Sequence, residues 1–161
     1  MVAWLVMEIV KSPELLRRVR EEVMTTYTTN SNGERFIDAQ KLLSLPLLQS
    51  IYIEGMRLHV SMNVTREVVG PLTLEGYELE TGSILQAATE ITQLDEGVWG
   101  APGHPASEFW AERHIKLVEA VDEGGNVKVE PQFSMAGRQN DFFPYGELWA
   151  SSPADLMTKG I

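Results

Sequence analysis

The sequence predicts an α+β chain, mainly helical: a helical first third, a small antiparallel sheet in the middle and an irregular meander near the end. Three observations predict it. Apolar residues recur at helical spacing early in the chain, with Leu15, Leu16, Val19 and Val23 on one stripe and Leu47, Leu48, Ile51, Tyr52 and Met56 on another. The texture then changes to short β-prone runs, "NVTREVV", "LTLEGYELE" and "SILQAAT", punctuated by Gly70-Pro71, Gly76 and Thr81-Gly82. From Asp95 to Phe143 the chain is rich in loops, and a compact domain holds so much irregular chain only where function or a cofactor orders it.

The opening run "MVAWLVMEIV" reads as a buried helix. It is shorter than the roughly 20 apolar residues of a membrane span and lacks the flanks of a signal peptide. A chain that opens in core material reads as cut from something longer. Ser12 then offers an N-cap, Pro13 a first helical position and Glu14 a first-turn acid for a helix through "PELLRRVREEVM". "TTYTTNSNGERF" reads as a polar loop, and Asp38 as the cap of a short helix that ends before Pro46. "PLLQSIYIEGMRLH" makes a longer helix. Leu72 to Leu79 forms a hairpin turning at Glu75-Gly76, and "KLVEAVDEGG" looks helical.

Composition bounds the function. A chain of 161 residues with 43% apolar content holds one domain with a modest core. Its net charge of −10 and pI near 4.7 argue against nucleic acid or an anionic membrane as partner. Cysteine is absent, which excludes disulfides, zinc-thiolate sites, iron–sulfur clusters, cysteine nucleophiles and thiolate-ligated heme.

Glu54 and Arg57 stand at i and i+3 of the longer helix, on one face. Most such pairs are exposed and contribute little. Here Ile51, Tyr52, Ile53, Met56 and Leu58 surround them, which points to burial. A buried guanidinium needs several oxygen acceptors, because its donors cannot be neutralised. A second bridge from elsewhere would turn the pair into a clamp.

The segments "EGMRLH", "TREVVGPLTLEGYELETGSILQAAT", "DEGVWGAPGHPASEFWAERH" and "FFPYG" resemble, in order and spacing, the C-terminal part of a eukaryotic-type cytochrome P450, across roughly residues 1–146. The resemblance implies that Glu54 and Arg57 are the E-x-x-R of the family's K helix. Arg113, in a segment similar to F-x-P-E-R-F, would complete their clamp. Arg66 falls where the family often places an arginine on a heme propionate. "DEGVWGAP" is similar to D-P-x-x-W-G-D-P, with Glu96 in place of the proline. The first ten residues look like the end of the I helix, and Ser12 to Tyr27 like the J helix.

Phe143 and Gly146 fit the first fixed positions of the heme-ligand signature F-x-x-G-x-R-x-C-x-G. There Leu148 stands for the arginine, Ala150 for the cysteine and Ser152 for the last glycine. Residues 147–161 therefore read as an aberrant, disordered tail, and a junction of reading frame or splicing after Gly146 accounts for it. The resemblance implies a heme-iron monooxygenase, an oxidoreductase of small lipophilic substrates served by a redox partner reductase and often anchored to a membrane by its amino terminus. Without the cysteine and the amino-terminal half, this chain is expected neither to bind heme nor to catalyse alone. Two alternatives stand beside that reading: a mispredicted product of an intact monooxygenase gene, with secondary metabolism as one setting, or a non-enzymatic remnant kept as a scaffold.

Other signals favour ordinary structural explanations. His59, His104 and His114 match no metal spacing. The sequon at Asn63 lies near a predicted strand. The acidic pairs Glu21-Glu22, Asp95-Glu96 and Asp122-Glu123 read as solvated faces, and no nucleophile elbow is present.

Overall fold

The computed structural model describes residues 2–121, 125–138 and 141–144. Gly146 and the expected tail at 147–161 lie outside the described residues. Two helices meet at Ser12. Helix α1 (Val2–Lys11) ends just before it, and α2 (Pro13–Met24) starts from it, with Ser12 Oγ accepting from the Leu15 amide at 3.2 Å. The expected burial of α1 does not hold. Leu5 and Ile9 pack onto the cluster of Leu15, Leu47, Ile51 and Ala111, while Val2, Trp4, Val6, Met7 and Val10 are exposed. The helix is apolar on nearly every side, but the helices it packs on, α2 and α4 (Pro46–His59), meet it on one side.

The stretch read as a polar loop is an antiparallel hairpin, β1 (Tyr27–Thr29) with β2 (Arg35–Ile37), Thr28 opposite Phe36. Asn30 Oδ1 accepts from the amides of Asn32 and Glu34, each at 2.9 Å, and Gly33 supplies the positive φ of 81°. β-Branched threonines around Tyr27, followed by Asn-Gly, are the strand-and-turn signal of this hairpin. Helix α3 (Ala39–Leu43) is capped by Asp38, which accepts from Gln40 and Lys41.

Helix α4 is the organising element. Its N-cap, Leu45, offers no side-chain acceptor; instead the carboxylate of Glu22 on α2 accepts from the Leu47 and Leu48 amides at 3.0 and 3.1 Å. Gly55 lets α1 come close, since a Cβ there would sit 2.0 Å from Leu5 Cδ2. One apolar cluster flanks α4 through Leu47 and Ile51. A second joins Ile53 and Met56 to Trp99, Ala106, Met135 and Phe142.

Strands β3 (Asn63–Glu67) and β6 (Ile84–Ala88) pair antiparallel, and between them in sequence lies the expected hairpin of β4 (Leu72–Leu74) and β5 (Tyr77–Leu79). Glu75 and Gly76 have φ of 48° and 86°, as a tight two-residue hairpin turn demands. Two short helices follow, α5 (Thr89–Gln93) and α6 (Glu96–Trp99).

The helical reading of "KLVEAVDEGG" is corrected. Ile115–Val121 is strand β7, paired antiparallel with β8 (Val127–Phe133). From Leu117 to Val121 its residues alternate between exposed and half-buried, and a partner seven residues long offers a ladder that an isolated short helix would lack. Helices and two-stranded antiparallel pairs thus share the described residues, a mixed fold, with irregular chain between α6 and β7 and again after β8.

Candidate functional site: a buried guanidinium clamp

Glu54 and Arg57 come from adjacent turns of α4, and Arg113 comes from the turn that leads into β7. All three are buried, with side chains fully out of solvent. Arg57 grips the carboxylate with two parallel bonds, Nε to Oε2 and Nη2 to Oε1, both 2.9 Å. Arg113 Nε reaches Oε1 at 2.8 Å, and the Trp110 amide donates to the same oxygen at 3.1 Å. Bidentate, charge-assisted geometry of this kind is the strongest pairing these groups make.

The remaining guanidinium donors find main-chain carbonyls. Arg57 Nη1 donates to Gln93 at 2.5 Å. Arg113 Nη1 donates to Trp99, and Nη2 to Pro105 and Glu108, both at 2.9 Å. These acceptors lie on the chain after β6, at the ends of α5 and α6 and in the irregular segment that follows, so the two arginines tie that chain to α4. Aromatic faces complete the enclosure. Arg57 lies 5.5 Å from the Trp99 ring centroid, and Arg113 the same distance from Trp110, on which His104 stacks.

Burial, the largest single influence on Glu54, pushes its carboxyl up. Hydrogen bonds from Arg57 and Arg113 and the charge of Arg57, with the His114 ring close by, outweigh it and hold the pKa at about 2. The carboxylate is therefore a fixed anion with its acceptor capacity largely used. That suits structure, not proton transfer.

The other sequence-selected residues lie elsewhere. Arg66 sits on exposed β3, where its guanidinium donates to the neighbouring Thr65 carbonyl at 3.0 Å. Phe143 is half-buried beside Phe142, a member of the Trp99 cluster. Sequence reasoning missed Arg138, which lies over Trp99 at 5.3 Å and donates to the Arg113 carbonyl at 3.1 Å. It missed His114 as a neighbour of Glu54, 3.3 Å from Oε2. It also missed Glu96, whose Oε1 accepts from the Ala106 amide at 2.7 Å and so folds the loop that carries the carbonyls.

The donor set does not fit a heme-thiolate centre. The sequence offers no sulfur anion. His59 is stacked on Trp4 and faces Glu8, His104 is stacked on Trp110, and His114 is buried against Glu54. Among the described residues no cluster of His, Asp or Glu could hold a metal ion, and no helix is long and apolar enough to cross a membrane.

A paired Glu and Arg on one helix, closed by a second arginine from a loop, accompanies a family match. The family profile described as Cytochrome P450 matches residues 1–114, and the chain belongs to the cytochrome P450 family, which binds heme. Among its relatives, cytochrome P450 monooxygenase calL of Penicillium decumbens is 52% identical over 99% of this chain and 28% of its own length. Cytochrome P450 monooxygenase fsoE of Humicola fuscoatra is 30% identical over 89% of the chain and 28% of its own. A lanosterol 14-alpha demethylase of Cunninghamella elegans is 25% identical over the same shares. The chain thus spans little more than a quarter of the relatives it matches.

Proposed function

We propose that the chain is the C-terminal part of a heme-dependent cytochrome P450 monooxygenase and does not catalyse by itself. In whole form such an oxidoreductase acts on a small lipophilic substrate with electrons from a redox partner reductase. The observation that carries the reading is a mismatch of extents: 99% of the chain aligns with 28% of the Penicillium monooxygenase, and the chain has no cysteine to ligate iron. The name of the Cunninghamella relative supports a lipophilic substrate, since lanosterol is a largely apolar polycyclic alcohol. In this reading the clamp of Glu54, Arg57 and Arg113 is a scaffold that fixes the irregular segment against α4.

A second reading is that the gene encodes an intact monooxygenase and this product is a misread version of it, which the 28% coverage of the Penicillium relative also suits. The Penicillium alignment covers 99% of the chain and so runs on into residues 147–161, which counts against a junction directly after Gly146. Sequencing the transcript through the codons for Gly146 separates the two. A continuation of the form G-x-R-x-C-x-G favours the intact enzyme; the tail as written favours the fragment. For the chain itself, a reduced, carbon monoxide-treated sample is expected to show no thiolate-type Soret band. Such a band, or turnover of an organic substrate with dioxygen by the isolated chain, would overturn the claim of incompetence.

A further inference from the structure

His114 has a fully used backbone and an unused ring. Its amide donates to Ser50 Oγ at 3.2 Å, and its carbonyl accepts from the Ser134 amide at 2.8 Å. His114 is 1% exposed, and its imidazole is bordered by the rings of Trp99 and Phe133, with centroids 5.9 and 6.3 Å away. Neither ring nitrogen has an aligned hydrogen-bond partner among the described residues, although Nε2 stands 3.3 Å from Glu54 Oε2. That oxygen accepts one bond, from Arg57 Nε, while Oε1 accepts three. Oε2 therefore has capacity left.

The charges around the ring are lopsided. Glu54 and Arg57 face it from α4, Arg113 precedes it in the chain, and Arg138 closes in from the segment after β8. One carboxylate thus serves three guanidinium groups. A second proton on the imidazole would enlarge the positive surplus. It would also give Nδ1 a buried N–H with no acceptor, a group that costs its full desolvation.

We propose that His114 is an acid-sensitive latch on the clamp. Neutral, with its proton on Nε2, it completes the coordination of Glu54. Doubly protonated, it forces the cluster open and frees the segment of residues 99–114 from α4. Burial, the main influence, lowers its pKa despite the pull of Glu54. A folded value below the ordinary 6.5 means that the contribution of His114 to stability is full above pH 6.5 and is lost as pH falls below it. Glu54 acts in a separate window, between its ordinary 4.5 and about 2. The range from pH 7 to 5 therefore lies outside the window of Glu54, and the difference from a His114 variant within it is the part owed to His114.

The test compares denaturant unfolding of the chain and of His114→Gln at pH 7.5 and pH 5.0, with the His114 ring proton followed by NMR in the unaltered chain. Gln keeps a neutral donor and cannot titrate. Between the two pH values the unfolding constant of the unaltered chain is expected to rise about tenfold more than that of the variant. The His114 resonance is expected to stay neutral at pH 6 and to shift only as the fold is lost. Parallel pH dependences overturn the proposal. So does a His114 resonance that titrates near the ordinary value, which settles the matter even where the variant fails to fold.

Discussion

Arg57 and Arg17 each bond to carboxylates on their own helix, and their surroundings make them opposites. Arg17 reaches Glu14 and Glu21 at 2.6 and 2.5 Å in open water, where more than half of each side chain is exposed. Solvent screens that pairing and side-chain entropy opposes it. Arg57 is enclosed, and its loss leaves Glu54 Oε2 buried without its one aligned donor and the Gln93 carbonyl without that guanidinium, although Arg113 still holds Oε1. Arg57→Ala is therefore expected to destabilise the chain by about 3 to 5 kcal/mol, the usual cost of breaking a buried ion pair from one side. Arg17→Ala should leave the thermal unfolding midpoint unchanged. An Arg57→Ala midpoint equal to that of the unaltered chain would show that the cluster is open to water. The pair was legible because Ile51, Ile53 and Met56 surround Glu54 in sequence. Its acceptors were not: the carbonyls of Gln93, Trp99, Pro105 and Glu108 carry no side-chain signal, and His114 reads as an ordinary residue until the fold sets it beside Glu54.

At the scale of elements, the start of α4 holds the most informative contact. Leu45 leaves the first amides of the helix unpartnered locally, and Glu22 supplies an anion from another helix, bonded to both Leu47 and Leu48. Glu22→Ala should lower stability by about 1 to 2 kcal/mol, the magnitude of a lost helix cap. Its neighbour Glu21, paired with Arg17 in solvent, should have no comparable effect when replaced by Ala. Urea unfolding checks this: the midpoint should fall for Glu22→Ala with an unchanged slope, and equal midpoints for the two variants would rule out the capping role. Glu21-Glu22 looked like one solvated acidic face because sequence cannot show which helix end a side chain will meet. Helices with local caps, such as α2 after Ser12 and α3 after Asp38, were legible at their starts. The strands β1, β2, β7 and β8 were not. Among the described residues each pairs only with its hairpin neighbour, and runs rich in Thr or in alternating Val and charge satisfied a loop or a helix template nearly as well as a strand.

For the whole molecule, the question is what happens to apolar surface that no described residue covers. Val2, Val6 and Val10 stand four apart along α1, each more than half exposed, while the same helix sends Leu5 and Ile9 inward. An apolar stripe beside an already packed face marks a surface made to meet protein. The chain spans only 28% of the Penicillium relative, and in the proposed larger enzyme α1 would have further protein to meet. The chain alone should therefore bind a hydrophobic dye and associate as its concentration rises. Replacing Val6 and Val10 by Lys tests the source of that stickiness. Lys is at least as good a helix former as Val, and both positions point away from the packed cluster, so the unfolding midpoint should shift by no more than about 0.5 kcal/mol equivalent. Dye fluorescence and the sedimentation coefficient at high concentration should both drop. If association persists undiminished in the double variant, the bare side of α1 is not the surface that seeks a partner, and the stripe is an ordinary feature of a self-sufficient fold.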